Sequence, residues 1–154
     1  MGFKAKQNSP FRELEGMKIS IINGPNLNLI GSRETDVYGS ESFEHFFQKL
    51  RKKYESVDFD YFQSNIEGEI INEIQRAGTK MDAIVLNPAG YSHTSVAIGD
   101  AIAAIKVPVI EVHISNIDAR EEFRKISHVS AKCKGTISGL GLKGYALAVE
   151  FFLK

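Results

Sequence analysis

Cysteine is almost missing: Cys133 stands alone, so no internal disulfide, CxxC redox motif or cysteine-based zinc framework can form, and a cytoplasmic location is expected. Net charge is missing too. The 19 basic side chains cancel the 19 acidic ones, which removes the global positive field of a nucleic-acid binder, so any anionic ligand must be caught by a local cluster. Long apolar runs are lacking: Lys106 splits the longest candidate and the C-terminal run falls well short of the roughly 20 residues that span a bilayer. Residues 1–16 include Lys4, Lys6, Arg12, Glu13 and Glu15 with no apolar stretch between them, unlike a secretory signal, and Lys6 spoils a myristoylation match. The domain is expected over 17–154, with 1–16 an N-terminal extension, native or left by the preparation of the protein. What is present is ordinary globular material: 154 residues, 43% hydrophobic and 25% charged, enough for one domain with a sizeable core.

The pattern along the chain alternates between strand and helix. A β-branched run over 18–23 stops at Gly24-Pro25-Asn26, as a strand ends at turn residues. From Ser42, residues Phe43, Phe46, Phe47, Leu50 and Tyr54 recur at helical spacing, with Lys and Arg near the end, where the helix dipole favours them. Strand patterns follow at 57–63, 83–87, 107–114 and 135–138. Helical patterns follow at 66–78, ending near Gly78, at 94–105 and at 145–153. A short helix over 118–127 is expected, with Asp118 and Glu121 spaced as a capping box. Five βα units predict a flavodoxin-like doubly wound parallel sheet of order 2-1-3-4-5. Its ligand crevice should lie beyond the carboxyl ends of strands one and three, near Asn26 and Asn87, with the end of strand four beside it.

The segments expected at that edge carry chemistry. The loop GPNLNLIGSRETDVYG over 24–39 is too long for a connector. In it Tyr38 could serve as a base only if a cation such as Arg33 lowered its pKa, and could otherwise be a packing residue. Glu111 and His113 are two apart on a strand and so share a side, where the carboxylate can orient and charge the imidazole as a general acid; a histidine merely satisfied at a strand end is the plainer alternative. The backbone N–H groups of Ile114 and Ser115, leading into a helix start, suit an anion such as a carboxylate. Arg120 and Arg124 fall on one helical face, although Glu121 and Glu122 beside them also fit a solvated charged surface.

Several alternatives carry less. No G-x-S-x-G elbow accompanies Ser92 and His93, which argues against a serine hydrolase, and Ser92 or Thr94 could simply cap a helix. His93, Asp100, Glu111 and His113 show no recognised metal-ligand spacing. Gly139, Gly141 and Gly144 spell the dinucleotide fingerprint, but the ten residues that follow leave no room for its βαβ unit. A receiver-like module would want acidic residues where Asn26 and Asn87 stand, and a flavodoxin would want hydroxyls between Gly24 and Ile30. A silent metabolite sensor on the same scaffold would differ from an enzyme only in turnover.

With INGPNLNLIGSRETDVYG at 22–39, LNPAGYSHTS at 86–95, EVHISN at 111–116, REEFRKIS at 120–127 and the GLGLKGY turn in view, the sequence resembles a type II 3-dehydroquinate dehydratase over essentially all of 17–154. Ser92 stands where that family more often has Thr, and Thr35 where Pro is common. The resemblance implies cofactor-free, reversible dehydration of 3-dehydroquinate to 3-dehydroshikimate, in the shikimate route or in quinate breakdown. It implies that Tyr38, tuned by Arg33 and Arg120, removes the C2 proton to give an enolate stabilised through Asn26, and that His113 with Glu111 protonates the departing C1 hydroxyl. Asn87, Ile114 and Ser115 would hold the substrate carboxylate, while His93 and Arg124 bind ring hydroxyls. Asp100 would act from an adjacent subunit, because the family assembles as trimers grouped into dodecamers.

Overall fold

A computed structural model describes residues 16–32, 36 and 39–154. Five strands form one parallel sheet of order β2-β1-β3-β4-β5: β1 Met17–Asn23, β2 Val57–Gln63, β3 Ala83–Asn87, β4 Val109–His113 and β5 Gly135–Ser138. The helices α1 Phe43–Lys53, α2 Glu67–Lys80, α3 Val96–Ala103 and α4 Lys143–Phe152 cover its two faces. Alternation along β1 explains the two layers. Ile19 and Ile21 join Phe43, Leu50, Val85 and Tyr145 on the α1/α4 side, whereas Ile22 joins Ile70, Ile74, Leu86 and Ile98 on the α2/α3 side. A central strand buried on both faces reads as a near-continuous apolar run, as β3 does.

Local chemistry sets the helix ends. Ser42 caps α1 by accepting from the His45 N–H at 3.2 Å, and Ser95 caps α3 by accepting from the Ile98 N–H at 2.9 Å. Helix α2 does not stop at Gly78 but runs to Lys80. That glycine lets α2 approach its neighbour: a Cβ there would lie 2.4 Å from Ile105 Cγ2. The helix expected over 118–127 is replaced by two single 3-10 turns, Ile117–Ala119 and Glu122–Lys125. Between them Arg120 is extended, at φ −106° and ψ −160°, which no helix can run through. The capping box does not form either. Asn116 caps the first turn by accepting from the Asp118 N–H at 3.2 Å, and Glu121 is engaged by Arg124. No helix among the described residues is long and apolar enough to cross a membrane.

Strand register then places the site. Asn23 pairs with Gln63 on one side and Asn87 on the other, so three carboxamides stand level at the carboxyl edge, where the order reverses. There the loops after β1 and β3 touch: the Gly24 N–H donates to the Asn87 carbonyl at 2.8 Å, and a Cβ on Gly24 would fall 2.7 Å from the Pro88 carbonyl oxygen. A Gly24→Ala substitution is therefore expected to destabilise the protein by about 1–3 kcal/mol through overpacking against backbone that has no rotamer to move. Urea unfolding of the variant checks this, and an unchanged midpoint would contradict it.

Candidate active site

A cleft opens at this edge. Seven of the residues singled out in the sequence line it: Asn87 from β3, His93 from the following 3-10 turn, His113 from β4, and Ile114, Ser115, Arg120 and Arg124 from the segment beyond. Two arginines in one concavity give it a local cationic character in a chain of zero net charge. Arg120 Nη1 donates to Ser115 Oγ at 3.4 Å. Arg124 is held by Glu121 and stacks over the Phe123 ring at 5.1 Å, which limits its side-chain freedom.

At the base of the cleft lies the buried, hydrogen-bonded pair of Glu111 and His113. Glu111 is 0% exposed, and Oε1 accepts from His113 Nε2 at 2.8 Å and from Ser92 Oγ at 2.8 Å. Its Oε2 accepts from Ser130 Oγ and, at 3.1 Å, from Thr136 Oγ1. Four donors fill the four lone-pair positions of a carboxylate, so the ionised form is the one this cage is built for. Burial by itself would raise the Glu111 pKa, but the hydrogen bonds from His113 and Ser130, the charge of His113 and the Ser92 hydroxyl together hold it at about 2. Because Glu111 holds Nε2, Nδ1 is the ring nitrogen of His113 left for chemistry. His93 is fixed in a similar way: its Nδ1 lies 2.7 Å from the Ile126 carbonyl, which can only accept, so Nδ1 carries the proton and Nε2 is left for a ligand.

The low Glu111 pKa has a stability consequence of defined sign. A carboxylate depressed in the folded state contributes stability above its unfolded pKa of 4.5 and loses it as pH falls toward about 2. Glu111→Gln cannot accept from four donors, so it is expected to cost on the order of 3 kcal/mol at pH 7. The difference from the parent protein should shrink as pH is lowered through that window. Urea titrations at pH 7 and pH 3 measure both effects, and a pH-independent difference would contradict the assignment.

Other expected site residues stand elsewhere. Asn26 is exposed beside the cleft rather than on its lining, in a left-handed conformation at φ 68° that Asn tolerates better than most residues. Its N–H donates to Asn65 Oδ1 at 2.9 Å, and the Asn65 carbonyl accepts from Tyr91 Oη at 2.8 Å. Asn65 thereby ties together the loops after β1 and β3, a link across 39 and 26 positions that no local pattern announces. Asp100 is exposed on α3 and does not line this chain's cleft. Arg33 and Tyr38 lie outside the described residues. Cys133, half-buried, has its thiol pushed up to about 12 by burial and by the charge of Glu111, so it is no nucleophile at neutral pH. No group of three or more metal-ligating side chains occurs among the described residues.

The comparison with known families decides what this edge belongs to. The profile of the family described as Dehydroquinase class II matches residues 17–153. The chain belongs to the class II dehydroquinase family. Its members are hydro-lyases, and this chain is an enzyme of that class. It is 50% identical over 143 residues to the 3-dehydroquinate dehydratase of Fusobacterium nucleatum subsp. nucleatum, covering 90% of this chain and 97% of that protein. It is 53% identical over 135 residues to the 3-dehydroquinate dehydratase of Caldicellulosiruptor bescii, covering 86% and 93% of the two. Among solved structures, the type II dehydroquinase of Butyrivibrio crossotus superposes with a TM-score of 0.87 at 45% identity, covering 90% of this chain and 99% of that one. The expected fold and strand order are those of the family. Residues 1–16 fall outside the matched region.

Proposed function

We propose that this enzyme dehydrates 3-dehydroquinate reversibly to 3-dehydroshikimate through an enolate, with residues 17–154 as the dehydratase domain. The observation that carries the reading is the buried Glu111–His113 pair opening onto a cleft that also holds Arg120 and Arg124, in a chain of this family. Tyr38, with its phenol pKa lowered by Arg33, takes the C2 proton beside the ketone. The electron pair left behind moves into the C3 carbonyl, and Asn26 stabilises the enolate through a bound water. Collapse of the enolate forms the C1=C2 bond and expels the C1 hydroxyl, which leaves as water with a proton from His113 Nδ1. Glu111 orients the imidazole and balances its cationic form.

Asn87, Ile114 and Ser115 hold the substrate carboxylate, and His93 and Arg124 hold ring hydroxyls. Asp100, exposed on α3, meets the site of a neighbouring copy in trimers that group into a dodecamer, and no cofactor takes part. A role in the shikimate route fits the names of the relatives. The test is product identity: nuclear magnetic resonance of 3-dehydroquinate incubated with the protein should show loss of one water and a new vinylic proton. Unchanged substrate in the presence of folded protein would overturn the reading.

A further inference from the structure

Behind the cleft runs a buried chain of hydrogen bonds in which neither the expected site residues nor the proposed chemistry gives Tyr145 a part. Asn87 Nδ2 donates to Tyr145 Oη at 2.8 Å, and Tyr145 Oη donates to Asn23 Oδ1 at 2.8 Å. The three residues come from β3, α4 and β1, and their exposures are 2%, 0% and 0%. The direction of the chain is forced. The Ala89 N–H, which can only donate, lies 3.0 Å from Asn87 Oδ1, so the amide group of Asn87 must face Tyr145. The tyrosine oxygen then accepts, and its own proton goes on to Asn23 Oδ1.

Two features accompany this chain. Asn23 Nδ2 is left buried without a partner, a state that native proteins keep to a few positions. Ala89, the donor that fixes Asn87, takes a left-handed backbone at φ 51° that a residue with a Cβ rarely adopts. With one N–H of Asn87 given to Tyr145 and Oδ1 given to Ala89, a single N–H remains, and Asn87 lines the cleft. Tyr145 itself does not, so it touches no ligand. Burial pushes its phenol pKa up, outweighing the hydrogen bond from Asn87, so it stays protonated and keeps donating.

We infer that Tyr145 is a positioning residue: it locks the Asn87 carboxamide with its amide edge toward the substrate anion, so that Asn87 meets the ligand as a donor. This rests on the proposed reading that Asn87 binds the carboxylate of 3-dehydroquinate. Tyr145→Phe keeps the ring and removes only the hydroxyl, freeing the Asn87 amide to re-pair or rotate. The expected result is a KM for 3-dehydroquinate raised on the order of tenfold with kcat within about threefold. Asn87→Ala should raise KM further, and adding Tyr145→Phe to it should change KM no more, because the two act as one unit. A purely structural role would lower the melting temperature and leave the KM of the folded enzyme unmoved.

Should Tyr145→Phe fail to fold, Asn23→Ala, which removes the acceptor at the far end of the chain, is expected to raise KM in the same direction. A folded variant with KM within twofold of the parent would overturn the inference while leaving the proposed activity standing. Absence of turnover by the unmodified enzyme would overturn both.

Discussion

His113→Ala is expected to lower kcat for 3-dehydroquinate dehydration by about 10²–10⁴-fold, the usual range for removing a positioned general acid. The fall should appear in kcat more than in KM, since the proton moves only as the C1–oxygen bond breaks. It should also be selective for one half of the reaction. With Tyr38 intact, the C2 proton still exchanges with solvent deuterium, because enolate formation does not require the leaving group to be protonated. The variant will be less stable than the parent, as Glu111 loses one of its four donors and remains buried, so activity is to be scored against folded protein. A variant that eliminates water at a near-parental rate would remove His113 from the mechanism.

Tyr38→Phe should produce a loss of similar size with the opposite signature. Without the phenolate no enolate forms, so both elimination and C2 exchange with deuterium should fall by about 10²–10⁴-fold. The ring is kept, so the fold should be unaffected. Comparing the two variants in deuterium oxide therefore separates base from acid: exchange survives in one and is lost in the other. Exchange at the parental rate in Tyr38→Phe would assign the base elsewhere, and loss of exchange in His113→Ala would contradict a role for His113 confined to the elimination half.

The architecture was legible where local pattern and tertiary demand agree. Residues 57–63, 83–87 and 135–138 are strands at their expected bounds, because short runs bounded by turn residues leave few other solutions. The pairing of Glu111 with His113 was also readable, since a spacing of two in a strand fixes a shared side. The segment after β4 was not. Charges three and four apart suit a capped helix and two 3-10 turns equally well, and local pattern does not announce the extended Arg120 between the turns. Arg120 and Arg124 nevertheless converge on the cleft, reached by a different backbone path.

What stayed invisible are partnerships across long separations. Tyr145 meets Asn23 across 122 positions, and Ser130 and Thr136 reach Glu111 across 19 and 25. Nothing in the local sequence of these residues marks them as other than core or loop. The only hint is chemical: a buried carboxylate must find donors, and hydroxyl residues near the ends of neighbouring strands are where such donors can come from.

The most direct measurement is the ultraviolet rise of the conjugated enone carboxylate when the purified protein is mixed with 3-dehydroquinate, with a chelator present and, in parallel, after treatment with borohydride in the presence of 3-dehydroquinate, the condition in which a Schiff base would exist to be reduced. A steady rise that survives both treatments is the predicted result, because elimination through Tyr38 and His113 needs neither a metal nor a lysine Schiff base. A rise abolished by borohydride would contradict the enolate route. No rise from correctly folded protein would contradict the dehydratase reading itself.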